Sequence, residues 1–115
     1  MSRGELWWVN LDPAIRSKAA TLRPALIVGR ETLARAAMGH EGGTVTVVPV
    51  TSATAKVYAF QVLIPSGLGG LDKASKAQAE QIRTVSVSRL VERIGVVPEA
   101  TSRRVDDAIR MYLGL

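Results

Sequence analysis

The chain has 115 residues, of which 47% are hydrophobic, and it carries a formal net charge of +5. These values predict one globular domain covering residues 1–115, and the lack of cysteine excludes a disulfide framework and a thiolate metal site. The basic charge favours an acidic partner, either nucleic acid or protein, unless it serves only solubility. We expect a cytoplasmic protein without a membrane span, because no signal peptide and no apolar run near 18 residues is present.

Short apolar runs alternate with turn signals along the first half of the chain, as in a compact mostly-β domain. Strands are predicted at residues 6–11, 24–29, 44–51 and 59–64. A polar loop at residues 14–22 follows Asp12-Pro13, which ends the first strand. The alanine and leucine content of residues 31–38 favours a short helical turn there.

Residues 75–85 fit two structures. Their Ala, Lys, Gln and Glu content favours a helix. Their alternation of small and polar residues also fits a strand with two distinct faces. The residues themselves leave this choice open, and a further strand is predicted at residues 94–97.

The C-terminal segment is predicted to be a helix that begins at Pro98. Ion pairs at i,i+4 spacing are predicted on its polar side, Arg103 with Asp107 and Asp106 with Arg110. The apolar side would pack on the core, or would also serve a dimer if the chain dimerises through this helix. Its members are Val105, Ala108, Ile109, Tyr112 and Leu113.

Residue types exclude several kinds of active site. A nucleophilic triad needs a base, and we expect no role for the single histidine, His40, which lies in a Gly-rich loop. The acidic residues are too scattered to predict a metal site. The glycines near residue 67 lack the phosphate-loop pattern, so a turn is expected there. We therefore expect neither a metal nor another cofactor.

Two predicted strands carry useful polar groups at their ends. Arg23 precedes one strand, and Thr51 and Ser52 close the other. If these strands are neighbours, a guanidinium and two hydroxyls meet at one rim of the sheet and suit a phosphate. On spacing alone, a surface arginine and a β-branched strand end remain the simpler interpretation. The other polar candidates are Arg16, Lys18, Lys56, Glu80 and Gln81.

Cleavage of RNA is a reaction that such residues can perform. RNA supplies its own nucleophile, the 2′-hydroxyl. An enzyme that uses it needs positioning, charge stabilisation and proton transfer, and needs neither a metal nor a histidine.

Collinear blocks along nearly the whole chain resemble the MazF/PemK/Kid family, the toxins of type II toxin–antitoxin systems. The blocks are Arg3-Gly4-Glu5-Leu6-Trp7, Leu11-Asp12-Pro13, Arg23-Pro24-Ala25-Leu26-Ile27-Val28, Val47-Val48-Pro49-Val50-Thr51-Ser52, Glu80-Gln81-Ile82-Arg83-Thr84 and residues 105–115.

The resemblance implies a fold and an activity. The fold is mostly β with α, an SH3-like (CcdB/Kid/MazF-type) β-barrel with a C-terminal helix, and it forms a homodimer. Residues 75–85 would then be mainly strand. The activity is metal-independent, sequence-specific cleavage of single-stranded mRNA that leaves a 2′,3′-cyclic phosphate and a 5′-hydroxyl. An antitoxin would block the RNA groove with an acidic, largely disordered segment.

The resemblance also implies residue roles. Arg23 and Thr51 fall on the family's catalytic pair, with Arg23 stabilising charge and Thr51 orienting the phosphate. Glu80 falls where the Kid/PemK branch has an aspartate and could be a general base. At the positions of Gln78 and Ser17, that branch has an arginine and a histidine. Its set of catalytic residues is therefore incomplete in this chain. The predicted RNA-binding residues are Arg16, Lys18, Ser52, Lys56, Gln78 and Gln81.

The loop before Arg23 departs from the family pattern. It reads Arg16-Ser17-Lys18-Ala19-Ala20-Thr21, where relatives commonly have Gly-Ser-Glu-Gln-x-Gly. Lys18 either strengthens phosphate contacts or marks a divergent, weakly active member. Two rival functions stay open: a CcdB-like inhibitor of DNA gyrase, and a non-catalytic module that binds RNA or an antitoxin.

Overall fold

The computed structural model describes residues 2–11, 22–30 and 43–115. Within these ranges it contains seven strands and a C-terminal helix, which confirms the predicted mostly-β fold class. No helix in this part of the chain is both long and apolar enough to cross a membrane.

The predictions for residues 31–38, His40 and the Arg16–Lys18 loop lie outside the described residues. The elements are β1 (Glu5–Asn10), β2 (Leu22–Ile27), β3 (Thr44–Thr51), β4 (Gln61–Ile64), β5 (Ser75–Gln78), β6 (Arg83–Ser86), β7 (Leu90–Val96) and α1 (Glu99–Leu113).

The strands form one antiparallel sheet in the order β4-β5-β3-β2-β1-β7, with β6 also paired to β3. One edge of β3 pairs with β2, with Ala25 opposite Pro49. The other edge pairs first with β6 and then, at Val50 and Thr51, with β5. Strand β3 is therefore central, and its last residue, Thr51, pairs with Lys76 of β5.

Apolar side chains pack on both faces of the sheet, because successive residues of a strand point to opposite faces. One cluster joins the sheet to α1 and includes Leu6, Leu26, Val48, Val50 and Val105. The other includes Val9, Ala25, Ile27, Val47 and Val85. Burial on both faces explains why β2 and β3 read as nearly continuous apolar runs.

Residues 75–85 are mainly strand, which confirms the family resemblance over helix propensity. They form β5, a 3₁₀ turn at Ala79–Gln81 and the start of β6. Helix propensity differs by only about 0.7 kcal/mol per residue among ordinary residues. Pairing with β3 outweighs that preference, since it satisfies backbone groups along a whole strand edge.

The two ion pairs predicted on α1 are wrong. Arg103 instead contacts Glu99 at 2.8 Å, one turn earlier, and Arg110 contacts Asp107 at 2.9 Å. Asp106 contacts Arg3 at 2.6 Å. Asp106 is partly covered by the N-terminal segment, which brings a distant arginine closer than the one on its own helix.

Candidate active site

Arg23 and Thr51 lie at one end of two neighbouring strands. The β2–β3 register pairs Leu26 with Val48 and Ala25 with Pro49. Continued by two residues, it places Arg23 opposite Thr51. Side chains directly opposite each other in an antiparallel pair share a face, with their Cβ atoms about 4.5–5.5 Å apart. We call this place, defined by Arg23 and Thr51, the rim.

The polar groups of the rim are available to a ligand. Arg23 is exposed, and its guanidinium has no ion pair or hydrogen bond within residues 2–11, 22–30 and 43–115. The Thr51 hydroxyl oxygen accepts a hydrogen bond from the Ala53 N–H at 3.2 Å. The hydrogen of the Thr51 hydroxyl is therefore available to donate to a ligand. A guanidinium fork beside a hydroxyl donor matches the oxygens of a phosphate.

Lys76 is a functional candidate that the sequence analysis missed. It lies opposite Thr51 in the β3–β5 ladder and is only 8% exposed. Its ammonium donates to the backbone carbonyl of Lys56 at 2.6 Å. The alternation at residues 75–85 does place Lys76 on the same strand face as Gln78, but nothing in the sequence marks this lysine as buried.

Ser52 lies on a different surface from Arg23 and Thr51. Pro24 follows Arg23 in β2 and so points to the opposite face. Ser52 and Pro24 line one pocket of about 390 Å³ with Trp8 and Asp72. This pocket offers an aromatic wall and polar groups on the other side of the rim.

Glu80 lies apart from the rim. From Lys76, opposite Thr51, β5 runs away from that end of β3. Glu80 comes four residues later, up to about 13 Å of extended chain. The Gln61 amide donates to its Oε2 at 2.7 Å, and its Oε1 is buried without a partner in the described part of the chain.

The other predicted glutamines accompany Glu80. Gln78 is half-buried and pairs with Gln61 across β4 and β5, and Gln81 is exposed at the end of the 3₁₀ turn. Gln61 was missed because nothing in its local sequence marks a contact 19 residues away. In the described ranges, no three His, Cys, Asp or Glu residues lie close enough to hold a metal ion.

Two further arginines hold the chain where it enters residues 12–21. Arg83 donates to the Leu11 carbonyl at 3.1 Å, and Arg89 donates to the Asn10 carbonyl at 3.2 Å. These contacts fix the end of β1. The predicted RNA-binding residues Arg16 and Lys18 follow directly, outside the described residues.

The comparisons with known proteins agree on one family. Residues 2–113 match the model of the PemK-like, MazF-like toxin of type II toxin–antitoxin systems. The chain is 46% identical over 115 residues to endoribonuclease MazF9 of Mycobacterium tuberculosis, covering 100% of this chain and 98% of that protein.

Solved structures show the same fold. MazF of Deinococcus radiodurans superposes with a TM-score of 0.76 at 27% identity, covering 100% of this chain and 97% of that one. A MazE–MazF structure from the same organism gives a TM-score of 0.74 at 26% identity, covering 100% and 96%.

Proposed function

Because the chain belongs to the PemK-like, MazF-like toxins of type II toxin–antitoxin systems and is a MazF-type endoribonuclease, we propose that it cuts single-stranded mRNA at specific sequences without a metal ion or other cofactor. The observation that carries this proposal is the rim, where the β2–β3 register, continued by two residues, places the Arg23 guanidinium opposite the Thr51 hydroxyl, and that guanidinium has no partner among the described residues. Both groups can hydrogen-bond a phosphate, and charge stabilisation and proton transfer by such groups require no metal.

The proposed reaction is an internal transfer at phosphorus. The RNA 2′-oxygen forms a bond to the adjacent phosphorus while the bond from phosphorus to the 5′-oxygen breaks. The 2′-hydroxyl loses its proton to a base, and the 5′-oxygen gains one. The products are a 2′,3′-cyclic phosphate and a 5′-hydroxyl. Arg23 stabilises the negative charge that builds on the phosphate oxygens, and Thr51 orients the phosphate for attack.

The remaining predicted residues have supporting roles in this proposal. Glu80 lies with Gln61 at the 3₁₀ turn, apart from the rim, and a base must be within hydrogen-bond reach of the 2′-hydroxyl beside the scissile phosphate. We therefore propose that Glu80 contacts RNA beyond that phosphate, and its candidate role as general base stays a prediction for the Glu80→Gln variant to test. RNA binding is assigned to Arg16, Lys18, Ser52, Lys56, Gln78 and Gln81.

The proposed partners follow from charge and from the relatives. The net charge of +5 suits both RNA and an antitoxin with an acidic, disordered segment. The MazE–MazF structure of D. radiodurans supports an antitoxin partner for this chain. We propose that the protein is a homodimer, that residues 1–115 form a single domain and that it acts in the cytoplasm.

Cleavage of a long RNA in EDTA tests the function. Wild-type protein is expected to cut, and Arg23→Ala to lower the rate by about 10²-fold or more, because one charge-stabilising group is lost. Glu80→Gln, measured alongside, reports whether that carboxylate takes the proton. Arg103→Met removes an exposed positive charge on α1 and serves as the control with unchanged rate.

Three results would contradict the proposal. The first is a folded wild-type protein that leaves the RNA intact, and the second is an Arg23→Ala variant that cuts at the wild-type rate. Trapping of DNA gyrase without RNA cuts would instead support the gyrase inhibitor. The relative at 46% identity is named an endoribonuclease, which favours the nuclease over both rivals.

A further inference from the structure

Two lysine ammonium groups lie over one tyrosine ring beside the rim. The Lys56 Nζ is 4.7 Å and the Lys76 Nζ is 5.8 Å from the centroid of the Tyr58 ring. We call Lys56, Tyr58 and Lys76 the cationic cluster. Neither ammonium forms a salt bridge within the described residues.

Lys76 is more than nine-tenths buried, yet it has no counter-charge there. The Lys56 carbonyl accepts one of the three hydrogens of its ammonium. A buried charge is costly unless it is paired, and the two ammonium groups also repel each other. Contact with the ring contributes only about 0.5–2 kcal/mol per cation. An anion beside both lysines would relieve the repulsion and accept the remaining hydrogens.

The cationic cluster continues the row of residues at the rim. Lys76 lies opposite Thr51 across β3 and β5, and the β2–β3 register, continued by two residues, places Thr51 opposite Arg23. These three residues stand on three adjacent strands, which are about 4.8 Å apart. Arg23 and Thr51 hold the scissile phosphate in the proposed reaction, so an anion at Lys76 is one strand further along the same line.

We propose that the cationic cluster binds a backbone phosphate of the RNA next to the scissile one. This inference rests on the proposed function, because that function supplies the polyanion. Tyr58 keeps the two ammonium groups in place, and its other neighbour is Phe60, stacked with ring centroids 5.4 Å apart. The cluster holds the strand in register at the rim and takes no part in bond making.

The salt dependence of RNA binding tests this site. The probe is a random-sequence single-stranded RNA with 2′-O-methyl sugars, which cannot be cut because its nucleophile is blocked. Log affinity falls as log salt rises, and each phosphate contact with a single strand adds about 0.7 to the steepness of that fall. Lys76→Met should make the fall less steep, and the Lys56→Met/Lys76→Met pair should reduce its steepness by about 0.7 in total, since both lysines serve one phosphate.

Two matched variants separate phosphate binding from folding. Lys76→Arg keeps the charge and should keep the slope, and Arg103→Met removes a remote charge and should also keep it. A slope unchanged in Lys76→Met would overturn the proposal and leave Lys76 as a tether for residues 52–60. If Lys76→Met lost binding to an acidic peptide but bound RNA as wild type does, the proposal would be overturned in favour of a protein partner. Failure of the wild-type protein to cut RNA would contradict the proposed function instead, because the probe measures binding alone.

Discussion

Glu5 is held by two side chains of the sheet. The Trp7 indole N–H donates to its Oε1 at 2.8 Å, and the Arg93 Nε lies 3.6 Å from the same oxygen. Burial alone raises the pKa of the Glu5 carboxyl. The Trp7 hydrogen bond, the positive charge of the N-terminus, a backbone hydrogen bond from Ser2 and, least of all, the Arg93 charge together outweigh burial and hold the pKa below its ordinary value. The carboxylate thus ties β1 to β7 in its ionised form.

Glu5→Gln is expected to destabilise the protein in a pH-dependent way. A carboxyl whose pKa is lower in the folded state stabilises that state above its unfolded pKa, and the effect is lost as pH falls through the folded pKa. The variant should lower the free energy of unfolding by about 1 kcal/mol at pH 7. The difference from wild type should shrink as pH falls below the unfolded pKa of about 4.3, and it should be gone once the pH is below the lowered folded pKa. Urea unfolding at several pH values measures it, and a difference that persists at low pH would contradict the assignment to charge.

The placement of Arg23 and Thr51 near strand ends was predictable from sequence, because the apolar runs beside them are visible. Their catalytic roles came from the family resemblance and stay a prediction. Pro24 marks the start of one apolar run, and Ser52 follows the end of the other. Lys76 was not predictable in the same way, because a lysine in a short strand usually extends into solvent. Its burial depends on residues 52–60 folding over it, and that contact is set by tertiary structure. The Gln61–Glu80 hydrogen bond likewise depends on tertiary structure and could not be predicted from the local sequence.

Strand β7 and the turn at Leu68–Gly70 touch so closely that a glycine is required between them. A Cβ on Gly95 would lie 2.3 Å from the Gly69 carbonyl oxygen. The turn borders the pocket that contains Ser52, so this contact also shapes one side of the site.

Gly95→Ala is expected to lower the free energy of unfolding by about 2 kcal/mol, since backbone must shift to admit the methyl group. Gly43→Ala is the control, because its Cβ would meet only Val87 Cγ2, at an ordinary 3.6 Å. Chemical unfolding of both variants measures the difference. Equal free energies of unfolding for Gly95→Ala and Gly43→Ala would contradict this, because they would mean that the turn can shift with no loss of stability.

Apolar periodicity predicted where the strands lie, but it did not predict their first and last residues or which strands pair. The strand predicted at residues 94–97 is longer, Leu90–Val96, because pairing with β1 through two irregularities extends it. The strand predicted at residues 59–64 is shorter, since Phe60 stacks on Tyr58 in the loop instead of pairing. Both differences come from neighbours distant in sequence.

The end of α1 leaves apolar side chains in contact with solvent. Met111 is 60% and Leu115 85% exposed, and Leu63 on β4 lies with Met111 along one groove. Exposed apolar patches on a small domain commonly mark an interface. This surface is consistent with the proposed homodimer through the C-terminal helix.

Met111→Glu is expected to weaken that dimer, because a charge would be buried in an apolar interface. Light scattering coupled to size exclusion measures the mass against the 12.3 kDa of one chain. Ala100→Glu adds the same charge at the exposed start of α1 and serves as the control. A wild-type mass of one chain would refute the homodimer, and a dimeric Met111→Glu protein would place the interface elsewhere.

The whole molecule is expected to perform one chemistry at one rim of its sheet. The most direct test of this is the mapping of new 5′ ends in a long RNA incubated with the protein in EDTA. We expect 5′-hydroxyl ends at a recurring short sequence, opposite 2′,3′-cyclic phosphates, and their loss in Arg23→Ala. New ends that carry a 5′-phosphate, or that appear only when a divalent metal is supplied, would contradict the account.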